Sequence, residues 1–137
     1  MKTHCIRLRP GQDLRHELEA FAAARQLTAA AVVTCVGSLT VAALRFASRP
    51  GTDHVPGPLE ITSLVGTFSV HGSHFHLTVS DAEGKALGGH LQEGSIVRTT
   101  AEVVILTMDD VTFLRETDPD TGYRELKIVP TDSIGTH

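Results

Sequence analysis

The sequence predicts an α+β fold: a mainly antiparallel sheet of about seven strands with one main helix packed on it. Three observations lead there. Only the segment 12–25 repeats apolar residues at helical spacing. Most other apolar segments are rich in Val, Ile and Thr and alternate with polar residues or run apolar, as strands do. The connections between them are too short for crossover helices, so neighbouring strands must run antiparallel. At 137 residues the chain has the length of one domain. That length can bury roughly two thirds of the unfolded surface. The domain is expected to span residues 3–130, with a short tail at 131–137.

His4 to Arg9 sets Cys5, Arg7 and Arg9 against Ile6 and Leu8, the alternation of a strand. Pro10-Gly11 ends it. Leu14, Leu18, Phe21 and Ala22 then form one helical stripe, with Arg15, His16, Glu17 and Glu19 mostly toward water. The helix is expected from about Gln12 to Arg25, with Gln12 or Asp13 near its start. Thr28 to Val36 reads as a buried strand, Gly37-Ser38 as a turn, and Leu39 to Ala47 as its partner strand. Ser48 to Pro58 holds three prolines and two glycines and reads as a loop. Leu59 to Val70 is a long strand with Gly66 as a bulge or close-approach point. His74 to Ser80 alternates most cleanly. Ile96 to Met108 is a long apolar strand. Val111 to Glu116 and Tyr123 to Val129 form a hairpin about Asp118-Pro119-Asp120-Thr121-Gly122, whose spacing does not meet that of a calcium loop.

Bulk properties exclude several functions. No apolar run approaches the ~18–20 residues of a membrane span. The N-terminus lacks the apolar core of a signal peptide, so the expected location is the cytoplasm. The net charge is −4 and the twelve basic residues are dispersed. A broad phosphate-binding surface needs them clustered. Cys5 and Cys35 form no Cys-x-x-Cys pair and are expected to be reduced and packed in the core.

Histidine is the unusual residue. The chain has eight, and His71, His74, His76 and His90 lie close together in sequence. Along His74-Phe75-His76-Leu77-Thr78-Val79-Ser80, side chains alternate faces. Phe75, Leu77 and Val79 take the core face; His74 and His76 share the other. A three-residue loop at Ala82-Glu83-Gly84 then sets a register. Asp81 meets Lys85, Val79 meets Leu87, Leu77 meets Gly89, His76 meets His90 and Phe75 meets Leu91. Directly opposed Cβ atoms lie roughly 4.5–5.5 Å apart, so His74, His76 and His90 converge. A loop one residue longer or shorter would send His90 to the core. Histidines on a polar strand face often meet only water; the convergence of three argues for a metal centre. Zn²⁺ suits three neutral imidazoles best, and nickel, cobalt or iron are compatible. A fourth position stays open for water, a substrate or another subunit's side chain. His71 could approach across Gly72-Ser73. His4, His16, His54 and His137 read as surface residues.

Glu102 interrupts the apolar strand 96–108. A carboxylate there is costly unless paired. It could orient a ligand histidine, act as a base toward metal-bound water, or pair with Arg45 or Arg98.

Val36-Gly37-Ser38-Leu39, Gly57-Pro58-Leu59-Glu60-Ile61-Thr62-Ser63-Leu64-Val65-Gly66, His74-Phe75-His76-Leu77, Gly88-Gly89-His90-Leu91 and Ala101-Glu102-Val103-Val104 resemble the plants-and-prokaryotes-conserved domain. The resemblance covers about Thr3 to Leu126, and it looks like the stand-alone prokaryotic form. It implies an α+β homotrimer with histidines available for metal. In plant relatives the domain follows an Arg-Gly-Arg-Pro AT-hook that enters DNA. This sequence contains no such segment, and Pro58 stands where the plant contact element carries Arg. A metal-binding module with a binding or regulatory role is the leading expectation. A metal-dependent enzyme on a small molecule comes next. A DNA-binding role would rest on analogy alone.

Overall fold

The computed structural model describes residues 1–134. Strand β1 is Lys2–Leu8 and helix α1 is Leu14–Ala24. The strands β2 (Ala29–Arg45), β3 (Asp53–Ser69), β4 (Gly72–Ser80), β5 (Ala86–Leu91) and β6 (Ile96–Thr107) follow. Strands β7 (Val111–Thr117) and β8 (Arg124–Pro130) complete the fold, before a short 3-10 turn at Thr131–Ile134. The end of the expected tail, 135–137, lies outside the described residues, and His137 with it. No helix of the described residues is long and apolar enough to cross a membrane.

The strands number eight rather than about seven. The short arm Ala86–Leu91 is a strand in its own right, although Gly88-Gly89 gives it little strand propensity. Six strands form one antiparallel sheet in the order β1-β6-β2-β3-β4-β5. The sheet curls far enough for β5 to return to β2, where Leu44 pairs with Leu91 and Arg45 with His90. Strands β2 to β5 thus close a small barrel, with β6 and β1 continuing beyond it. Strands β7 and β8 pair only with each other. They are tied to the main sheet through Val70 N–H to Phe113 O and Phe113 N–H to Thr28 O, both 2.9 Å.

The expected turn at Gly37-Ser38 is not there. Strand β2 runs unbroken for 17 residues. Gly37 is a point of close approach instead: a Cβ at that position would lie 2.1 Å from the Thr100 carbonyl oxygen on β6. Gly66 serves similarly on β3, as expected, where a Cβ would lie 2.3 Å from the Phe75 ring. Half of the expected loop 48–58 is strand, since β3 begins at Asp53.

Helix α1 starts where an acceptor is available. The Asp13 carboxylate accepts the N–H of His16 at 2.9 Å and that of Gly94 at 2.7 Å. One residue therefore caps the helix and binds it to the β5–β6 loop. Leu14 and Leu18 are fully buried, and Phe21 and Ala22 pack at the margin. The core lies between this helical stripe and the inward residues of the barrel, among them Leu39, Leu44, Phe68, Leu77, Val79 and Ile105. Cys35 belongs to it, but Cys5 is exposed, contrary to expectation. Cys5 is paired with Val104 on the outer side of β1. Both thiols are free. Burial, followed by the charge of Glu102, pushes the Cys35 thiol up to about 12, so it stays protonated.

Candidate metal centre and its cleft

The β4–β5 hairpin has the register read from its loop: His76 opposite His90, Leu77 opposite Gly89, Val79 opposite Leu87. Asp81 N–H donates to Lys85 O at 2.9 Å and Gly84 takes a left-handed φ of 79°. The Asp81 carboxylate accepts the N–H groups of Glu83 and Lys85, each at 2.9 Å. These bonds hold the loop at its length. Phe75, Leu77 and Val79 are buried, while His74 and His76 face outward and His90 is half-buried. The ladder ends at His76 and His90, so Phe75 is not paired with Leu91, which pairs with Leu44 across the barrel closure.

The three imidazoles meet as the parity argument requires. Their ligating nitrogens all lie within 4.8 Å of one another. His74 Nε2 and His76 Nε2 are 3.1 Å apart. Two nitrogens on a tetrahedral zinc at ~2.05 Å would be roughly 3.3 Å apart. The His74 and His90 rings stack at 5.3 Å, and His76 stands edge-on to His90 at 4.5 Å. Burial is the main cause that holds the His74 pKa below the ordinary histidine value, reinforced by His76 and Arg115 and opposed by Glu125. Burial also leads at His90, followed by Arg45, His76 and His74, and lowers its pKa. Both rings are therefore held neutral at pH 7, the form that ligates metal. The donor set suits a transition metal of the zinc type, and the His74–His76 spacing matches that of two ligands on one ion.

A cleft of about 650 Å³ opens beside His74 and His90. Arg45, opposite His90, lies in its wall. Arg15 closes one side: its Nε donates to Glu19 at 3.2 Å and its Nη1 to the Leu91 carbonyl at 3.1 Å. The β7–β8 hairpin closes the other side with Arg115, Tyr123, Arg124 and Glu125. His71 does not join the histidine group. Its Nδ1 accepts the backbone N–H of Arg115 at 3.0 Å and so pins the hairpin in place.

Glu102 is no part of this site. It is exposed, opposite Arg7 on β1 and Val36 on β2, three strands from β4. Its carboxylate accepts the Thr100 hydroxyl at 3.5 Å. Pairing with Arg45 is excluded by the register, which sets Arg45 against His90. Nor is Asp118 to Gly122 a cation loop. Asp118 accepts the N–H of Asp120 at 2.7 Å and closes an ordinary hairpin turn. The cleft arginines carried no sequence signal, because Arg45 reaches His90 only through barrel closure and Arg115 and Arg124 only through hairpin docking.

Known proteins share this architecture. A hypothetical protein of Salmonella cholerae-suis (Salmonella enterica) superposes with a TM-score of 0.93 at 43% identity, covering 95% of this chain and 94% of that one. A metal-containing protein from Archaeoglobus fulgidus superposes with a TM-score of 0.79 at 26% identity, covering 91% and 92%. The bifunctional protein GlmU of Synechococcus sp. (strain JA-2-3B'a(2-13)) is 45% identical over 95% of this chain, which spans only 21% of that relative's length. The Plants and Prokaryotes Conserved (PCC) domain model matches residues 1–109, and the chain belongs to that family.

Proposed function

We propose that this PCC-domain protein is a metal-binding module, with zinc or a similar divalent ion held by His74, His76 and His90, and that it acts as a homotrimer in a binding or regulatory role. The single observation carrying the reading is the convergence of three imidazoles within 4.8 Å on one hairpin. The Archaeoglobus relative, named as metal-containing, supports it. Self-assembly is supported by an unusual sheet face: Val33, Val36 and Val65 on β2 and β3 are 58%, 59% and 55% exposed. Apolar side chains on a sheet face suit burial against a second copy. We place the protein in the cytoplasm, in keeping with its two unbonded cysteines.

A second reading, a metal-dependent enzyme acting on a small molecule, is favoured by the cleft beside the histidines. A bound zinc would supply Lewis acidity at its open position. Glu102 of the same chain is not available there as a base, since it lies three strands from β4. A DNA-binding role rests on analogy with two structural neighbours named as putative DNA-binding proteins, and a net charge of −4 does not favour it.

Elemental analysis of the purified protein, beside its mass in solution, tests the reading. About one zinc per chain and a trimer mass are expected. His76→Ala should lose the metal while keeping the fold, because its side chain is exposed. A chain that takes up no zinc on addition would return the histidines to a wetted sheet face.

A further inference from the structure

We propose that the cleft beside the histidines binds a small organic anion, whose carboxylate or phosphate group is held by Arg45, Arg115 and Arg124. The proposal deepens the metal reading and rests on it for a second anchor, the ion at the histidines.

The chain is acidic overall, yet four of its nine arginines line this one cleft. Arg15 is already satisfied by Glu19 and the Leu91 carbonyl. The other three have no carboxylate within ion-pair distance among the described residues. Arg45 is half-buried and directly opposite His90, so its side chain shares the face of the metal centre. Arg115 uses one nitrogen on the Thr67 hydroxyl at 3.1 Å, and Arg124 uses one on the Arg115 carbonyl at 2.8 Å. A guanidinium has five N–H donors, so most remain available. Three guanidinium groups lining one cleft without an ion-paired carboxylate repel one another. An oxyanion removes that cost, and the planar guanidinium fork matches carboxylate and phosphate alike. Glu125 is the one carboxylate in the lining and leaves the cleft net positive. A volume of about 650 Å³ is that of a metabolite-sized site.

Arg115 and Arg124 stand on the β7–β8 hairpin, beyond the residues 1–109 matched by the family model. Strands β2, β4 and β5 supply Arg45 and the histidines, and the β7–β8 hairpin supplies the other two arginines.

Calorimetric titration of the zinc-loaded protein with glycolate, glycerol 3-phosphate and glycerol decides the matter. One of the two anions is expected to bind with a dissociation constant of about 1 mM or below, and the one that does identifies the group recognised. Glycerol, which is neutral, should not bind. Arg45→Gln and Arg124→Gln should each weaken binding about tenfold or more, with unchanged zinc content and circular dichroism. Arg124 is exposed, so its replacement leaves the fold to report on the contact alone. Binding of neither anion, equal binding of glycerol, or unchanged affinity in both variants would overturn the proposal. Zinc content is measured on every sample. If the wild type takes up none, the metal reading fails separately, and the same titration of the metal-free protein still decides the arginine site: arginine-dependent binding upholds it, and its absence sinks it.

Discussion

Protons and metal compete for the same imidazole nitrogens. The folded-state pKa values of His74 and His90 lie below the ordinary histidine value, burial being the first cause at both. An unfolded chain therefore binds more protons than the folded one just below pH ~6.5. Stability contributed by these rings is therefore present above the unfolded pKa and is lost as pH falls through the folded values. The thermal midpoint of the metal-free protein should rise between pH 5 and pH 7, and the rise should shrink in a His74→Gln, His90→Gln double variant. An identical pH profile in the two proteins would remove the histidines as its source. These residues were legible in the sequence because strand parity is strict and a loop of fixed length transmits it to the next strand. Arg45 was not legible. Its neighbour is set by closure of a barrel, which no local pattern encodes. Cys5 was misassigned against the pattern of its own strand: it alternates onto the face of Arg7 and Arg9, opposite Ile6 and Leu8, and that face is exposed.

Helix α1 shows how far a local signal reaches. Its apolar stripe and its start were readable, but the second role of its cap was not. Asp13 closes the helix start and also holds Gly94 of the β5–β6 loop. Asp13→Ala should cost about 1–2 kcal/mol, toward the upper end because the Gly94 N–H is orphaned as well. Urea unfolding measures it, and a loss of a few tenths would show that water replaces both bonds. The helix ends at Ala24, with Gln26 in the left-handed region at φ 51° and Leu27 N–H returning to Ala22 O at 3.0 Å. Strand β2 carries the opposite lesson. Gly37 looked like punctuation, since glycine most often marks a turn. Its actual reason is the backbone of Thr100, packed where a side chain would stand. A neighbour contributed by a distant strand is invisible along the chain.

The antiparallel α+β architecture followed from short connections and one helical stripe, whereas the curl of the sheet did not. That curl brings together groups from three places: β4 and β5 with their histidines, β2 with Arg45, and the β7–β8 hairpin with its arginines. The closure holding them is slight. Strands β2 and β5 meet at only Leu44 with Leu91 and Arg45 with His90, continued by Gln92 N–H to Ala43 O at 2.9 Å. In the language of fluctuations, so short a seam is the cheapest place for the barrel to open. The Gln92 amide should therefore exchange with deuterium faster than that of Val79, a fully buried residue of β4. An occupant gripping Arg45 on one side and the histidines on the other would straddle the seam as a latch. Slower exchange at Gln92 on saturation would register the latch closing, and the site would then sense its ligand by how often the barrel breathes.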